Sequence, residues 1–121
     1  MNTTTTTAST ATTDNTVPAR VNFAEACMGY VASARSTLPD TDGVEDVRAH
    51  GLRIVSGTLL ESLDEEDPAQ VSGLLTEAGV VLELIRRSLV ADGDKAPARA
   101  LPLIELARAE LADALACGTG A

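Results

Sequence analysis

The sequence predicts an all-α protein, a small antiparallel four-helix bundle with a disordered Thr-rich N-terminal tail. Three observations lead there. Aliphatic residues recur at spacings of three and four in four separate segments. No segment alternates apolar and polar residues with period two, and β-branched runs are short. The four segments are bounded by capping and Pro/Gly signals, and the short connections between them favour antiparallel neighbours.

The tail is the first element. "MNTTTTTASTATTDNTVPAR" is low in complexity and nearly free of large apolar groups, so it lacks the burial needed to offset the entropy of ordering. Residues 1–20 are therefore expected to be disordered, and residues 21–121 to form one helical domain. That domain is close to the modal domain size and long enough to bury a core.

In "NFAEACMGYVASARSTLP", Asn22 and Glu25 have capping-box spacing. Phe23, Cys27, Tyr30, Val31, Ala34 and Leu38 follow at helical spacing, and Pro39 marks the end. In "DGVEDVRAHGLRIVSGTLLESL", Asp42 and Glu45 give a similar cap. Val44, Val47, Gly51, Leu52, Ile54, Val55, Thr58, Leu59 and Leu63 cover about half of the helix circumference. Gly51 and Gly57 each cost up to about 1 kcal/mol relative to Ala inside a helix. Close approach of a neighbouring helix or access for a partner would offset that cost.

The third segment, "DPAQVSGLLTEAGVVLELIRRSLV", has Asp67 as cap, Pro68 at the first helical position and Gln70 at the capping-box position. Val71, Leu74, Leu75, Ala78, Val81, Leu82, Ile85 and Leu89 form its stripe. Arg86 and Arg87 are expected in the last turn, where cations suit the helix dipole, and "ADGD" breaks the helix. The last segment, "APARALPLIELARAELADALACGTG", has Pro97 or Pro102 as its first-turn proline. Its stripe is Ala100, Leu103, Ile104, Ala107, Leu111, Ala114 and Leu115, with Gly118 as the C-terminal cap.

Composition restricts function. The chain has one Phe, one Tyr and no Trp, so the core is aliphatic and base stacking on single-stranded nucleic acid is disfavoured. A net charge of −9 repels phosphate backbones and anionic membranes. Partners are thus expected to be proteins, not nucleic acid or membrane. No apolar run approaches the ~20 residues of a membrane span, and no basic region followed by an apolar run marks a signal peptide. The expected location is cytoplasmic. Eight Arg against one Lys, with much Ala and Gly, points to a GC-rich bacterial genome.

Reactive groups are sparse. Cys27 falls on an apolar stripe, as a small buried hydrophobe does, and Cys117 lies in the final turn. Two cysteines so far apart form neither a disulfide framework nor a metal-ligand spacing. The acidic run Asp64, Glu65, Glu66, Asp67 lacks the alternating ligands and Gly turn of a calcium loop; it suits the positive end of the following helix instead. No Gly-rich phosphate loop is present. No metal, cofactor or small-molecule substrate is predicted, and no convergent catalytic set.

The one histidine, His50, flanks the apolar arc of the second helix, with Asp46, Arg53 and Glu61 on the same side. A solvent-edge histidine paired with Asp46 accounts for this pattern. The string Ala49-His50-x-Leu52-Arg53, with Gly57 seven residues after the histidine, also resembles the phosphoacceptor helix of histidine-phosphotransfer domains. Those are small four-helix bundles, often acidic. The resemblance implies that His50 would carry a phosphoryl group exchanged with a receiver aspartate, and that Arg53 would help hold it. It covers about eight residues and departs from the motif at two. The small residues usual four and ten positions after the histidine are Ile54 and Leu60 here.

Val80 and Leu84 lie off the stripe of the third helix, on one meridian with Gly73. Either that helix touches neighbours on more than one side, or the two residues form an interface for a partner helix or a second copy of the chain. The expectation is a non-enzymatic interaction, adaptor or regulatory protein that binds through helix surfaces. The alternatives are phosphotransfer through His50, and a secretion or assembly chaperone that sheathes an apolar helix of its client.

Overall fold

The structure is a computed structural model, and it describes residues 8–41 and 44–119. Four helices, α1 (Ala8–Thr37), α2 (Val47–Asp64), α3 (Pro68–Asp92) and α4 (Ala100–Thr119), follow in order. A two-residue ladder, β1 (Asp40–Thr41) with β2 (Val44–Glu45), tightens the α1–α2 connection, and a 3₁₀ turn over Gly93–Lys95 links α3 to α4. Each helix packs on its sequence neighbours, and α1 also packs on α4. The four helices therefore form a closed ring of nearest neighbours, the antiparallel bundle that short connections favour.

The interior is a single aliphatic cluster. Cys27, Val31 and Ala34 come from α1, with Leu38 just after its end, and Ala100, Ile104, Ala107, Leu111 and Ala114 from α4. Spacings of three and four keep each set on one face. The α1–α4 contact is the most extensive of the four. Its alternation of Ala with larger aliphatics allows close approach of the two backbones, since interaxial distance follows side-chain size. α3 contributes Val71, Leu75, Ala78, Leu82, Ile85 and Leu89, all of them members of its expected stripe.

Several termini differ from expectation. α1 starts at Ala8, not after Asn22, so Asn22 is interior instead of a cap. Pro18 lies inside α1 and removes one ladder hydrogen bond. Among the residues from Pro18 on, Ala24 is the first to be buried. Residues 1–7 of the expected tail lie outside the described residues.

Asp42, expected to cap α2, also lies outside them, and Glu45 is in β2. The observed cap is Asp46, whose carboxylate accepts from the Arg48 amide at 2.8 Å. Asp67 caps α3 as expected, accepting from the Ala69 amide at 3.0 Å. The Asp67 amide donates to the Glu65 carboxylate at 3.2 Å, not to Gln70. Gly93 ends α3 at a φ of 55°, a conformation open to glycine at little cost. In α4, Pro102 is the first-turn proline while Pro97 precedes the helix, and the helix runs through Gly118 without stopping there.

α2 is rotated relative to the expected stripe. Its buried residues are Ala49, Leu52, Val55, Leu59 and Ser62, with the Ser62 hydroxyl donating to the Leu59 carbonyl at 2.6 Å. Gly51 has a clear packing role. A Cβ there would stand 3.2 Å from Ile85 Cδ1 and 3.7 Å from Val81 Cγ1, whereas a Cβ at Gly57 would meet nothing within 4 Å.

Ion pairs join the ends of helices. Arg48 holds Asp46 through Nε and a terminal nitrogen and reaches Asp92 at 2.7 Å, tying the start of α2 to the end of α3. On the α3–α4 side, Glu83 takes Arg86, Arg87 and Arg108 at 2.8–3.0 Å. Arg86 and Arg87 thus serve this carboxylate instead of the last helical turn, which lies further on at Asp92. The three guanidiniums hold the Glu83 carboxyl down at about 2, from a usual 4.5. The Arg48 hydrogen bonds lower that of Asp46 as well.

Gly57→Ala is expected to raise stability by up to about 1 kcal/mol, from helix propensity alone. Gly51→Ala should gain less or lose, because Ile85 must shift. Thermal unfolding of the two variants side by side checks this. A carboxyl with a folded-state pKa below its unfolded value stabilises above the unfolded value and loses that stabilisation on acidification. Stability should therefore fall as pH drops from about 4.5 towards 2. Glu83→Gln should flatten that part of a urea-midpoint-versus-pH curve.

Candidate protein interface

The rotation of α2 has a consequence at the surface. Val47 is 79% and Ile54 50% exposed, although both belong to the apolar arc. They lie four before and three after Gly51, hence on one edge of α2. Gly51 faces Val81 and Ile85, so this is the edge that borders α3. On α3, Val80 and Leu84 are 56% and 58% exposed. They adjoin Val81, which packs against the core from its partly buried position. Four aliphatic side chains thus stand open on one side of the bundle. α3 does touch neighbours on two sides, α2 and α4, yet Val80 and Leu84 stay exposed between them.

His50 borders this surface. It is exposed, three residues after Val47 and four before Ile54, on the same helix edge. Arg53 is exposed too, further around α2. Leu52 and Leu59 are fully buried and anchor the helix so that the His50 side points outward. Both oxygens of Asp46 accept from Arg48.

The other candidates are structural. Cys27 is fully buried in the core, and burial pushes its thiol up to about 12, with Glu110 adding to the rise. A thiolate nucleophile is not available there. With the thiol sealed inside and the imidazole on the surface, no solvent-open pocket holds both. Cys117 is half-buried, and both cysteines are free thiols. Glu65 and Asp67 of the acidic run serve the start of α3. Among the described residues no group of three or more His, Cys, Asp or Glu is placed to hold a metal. No helix among them is long and apolar enough to cross a membrane.

Sequence reasoning found Val80 and Leu84 but assigned Val47 and Ile54 to the core. The signal for their exposure was the width of the α2 arc. An apolar arc of half the circumference is broader than two neighbouring helices cover, so one edge is left over. Compared with known proteins, the chain matches no family model, no curated protein and no solved structure.

Proposed function

We propose that this protein is a non-enzymatic interaction or regulatory protein that binds another protein chain through the α2–α3 side of its bundle. The observation that carries the reading is the joint exposure of Val47 and Ile54 on α2 and of Val80 and Leu84 on the neighbouring α3. Exposed aliphatic side chains on two neighbouring helices are of the kind that docking sites use. A protein occupant also suits a chain of net charge −9, which repels polyanions. Two free thiols support a reducing, cytoplasmic setting.

A photo-crosslinking residue at position 54 or 84 is expected to give a discrete adduct in cells, and one at Asp113, exposed on α4, none. Ile54→Glu combined with Leu84→Glu should abolish binding of the adduct protein. The circular dichroism spectrum should persist, with stability within about 0.5 kcal/mol of the parent, as for surface substitutions. Equal adducts at all three positions would overturn the interface. So would turnover of a small-molecule substrate that loss of one polar cluster abolishes.

A second reading is favoured by one observation: His50 is exposed on a surface that Val47 and Ile54 make apolar. A receiver domain docking there would bring its aspartyl phosphate to the imidazole. The nitrogen–phosphorus bond would form as the acyl phosphate bond breaks, with the imidazole proton released to solvent and Arg53 attracting the phosphoryl oxygens. Ile54, half-exposed where the resembling family has glycine, crowds that approach. Incubation with phosphorylated receiver domains should then place an acid-labile label on the chain, and His50→Gln should remove it. A label unchanged in His50→Gln, or none on the parent, ends this reading.

A further inference from the structure

We propose that the outer face of α3 pairs with α3 of a second copy of this chain, antiparallel, about a two-fold axis level with residue 82. The inference rests on the reading of the α2–α3 side as a protein interface and names its occupant.

The outer meridian of α3 carries Gly73, Glu77, Val80, Leu84, Arg87 and Ala91, every one of them exposed. Their spacing is four, three, four, three, four, the spacing of a coiled-coil seam. The seam spans about 27 Å at 1.5 Å per residue. Two copies of α3 can meet along it in either direction, and the charges decide between the two. A parallel, in-register pair sets Glu77 against Glu77 and Arg87 against Arg87. An antiparallel pair centred on residue 82 sets Glu77 against Arg87 of the second copy, twice, and Val80 against Leu84, twice. Like charges directly opposed are unfavourable and opposite charges favourable, so only the antiparallel pairing is self-complementary.

The remaining layers fit the same arrangement. Gly73 falls opposite Ala91, and the space around a Cβ at Gly73 is open to 4 Å, so the two backbones can close together at both ends of the seam. Arg87 is steadied by its own Glu83, which accepts from Nε at 2.8 Å; a guanidinium has further donors in its fork for a second carboxylate. Ile54 adds to the contact. α2 and α3 run antiparallel with Gly51 opposite Ile85 and Val81, which puts Ile54 near the level of residue 80, about half a turn from the two-fold. A single helix pair is small for a stable interface, and two chains of net charge −9 repel one another. The expected dimer is therefore weak and exchanging.

Sedimentation equilibrium of the full chain, from low micromolar to near-millimolar concentration, tests the pairing. The parent should show a reversible monomer–dimer equilibrium, and Leu84→Glu should be monomeric with an unchanged circular dichroism spectrum. Glu77→Arg and Arg87→Glu should each weaken association by about tenfold or more, the scale of charge coupling across an interface. The double exchange Glu77→Arg with Arg87→Glu should recover most of the loss. Recovery by the double exchange is the result that a merely sticky surface would not give. A chain that stays monomeric throughout, a dimer indifferent to Leu84→Glu, or single exchanges that the double one does not rescue would each overturn the pairing. If a different protein crosslinks at positions 54 and 84 to a monomeric chain, the second copy is wrong while the interface stands. If neither association occurs, both fall.

Discussion

The structure depends on one constraint: a core without large aromatic anchors has to be closed by many small aliphatic contacts at once. The buried cluster is built from Ala, Val, Leu, Ile and one Cys, with Phe23 and Tyr30 at its margin. Each contact is weak, and the sum is effective only at close-packed density. The helices must therefore approach closely. Ala24, Ala34, Ala107 and Ala114 on α1 and α4, and Gly51 on α2, permit that approach. The α2–α3 spacing in particular follows from a missing methyl group at Gly51, beside Ile85.

Close packing inside and exposed aliphatics outside are connected. α2 turns until Gly51 meets Ile85 and until Ala49 and Ser62 are covered. That turn carries Val47 and Ile54 out of the core, onto the edge of α2 that borders α3. The apolar surface on the α2–α3 side is thus the remainder left when a wide arc is fitted to two neighbours. Ion pairs fix the fit at both levels. Arg48 joins the start of α2 to Asp92, and Arg108 joins α4 to Glu83 on α3.

Much of this was legible in the sequence. The stripes of α3 and α4 reappear in the structure nearly residue for residue, because Asp67-Pro68 and Gly93 define where α3 begins and ends. The α2 stripe was misplaced because apolar residues cover half of that helix, and periodicity alone does not say which part of a broad arc the neighbours will cover. The start of α1 was misplaced for another reason. Asn22 and Glu25 have the spacing of a cap, but a capping residue acts only where the chain leaves helical geometry, and the helix runs through both. Of the candidate site, Val80 and Leu84 could be seen as residues on the far side of the helix, off its stripe. The companionship of His50 with Val47 and Ile54 could not, since it depends on the rotation of α2.

The near absence of aromatic rings has a practical side as well. Tyr30 is the sole phenol of the chain and no indole is present. That ring packs against the core from α1, the helix with the broadest contact to α4. Near-ultraviolet optical signals from the folded protein therefore originate almost entirely at one known location. A change in them reports loosening of the α1 flank, while the opposite flank, where α2 meets α3, remains optically silent unless a chromophore is introduced.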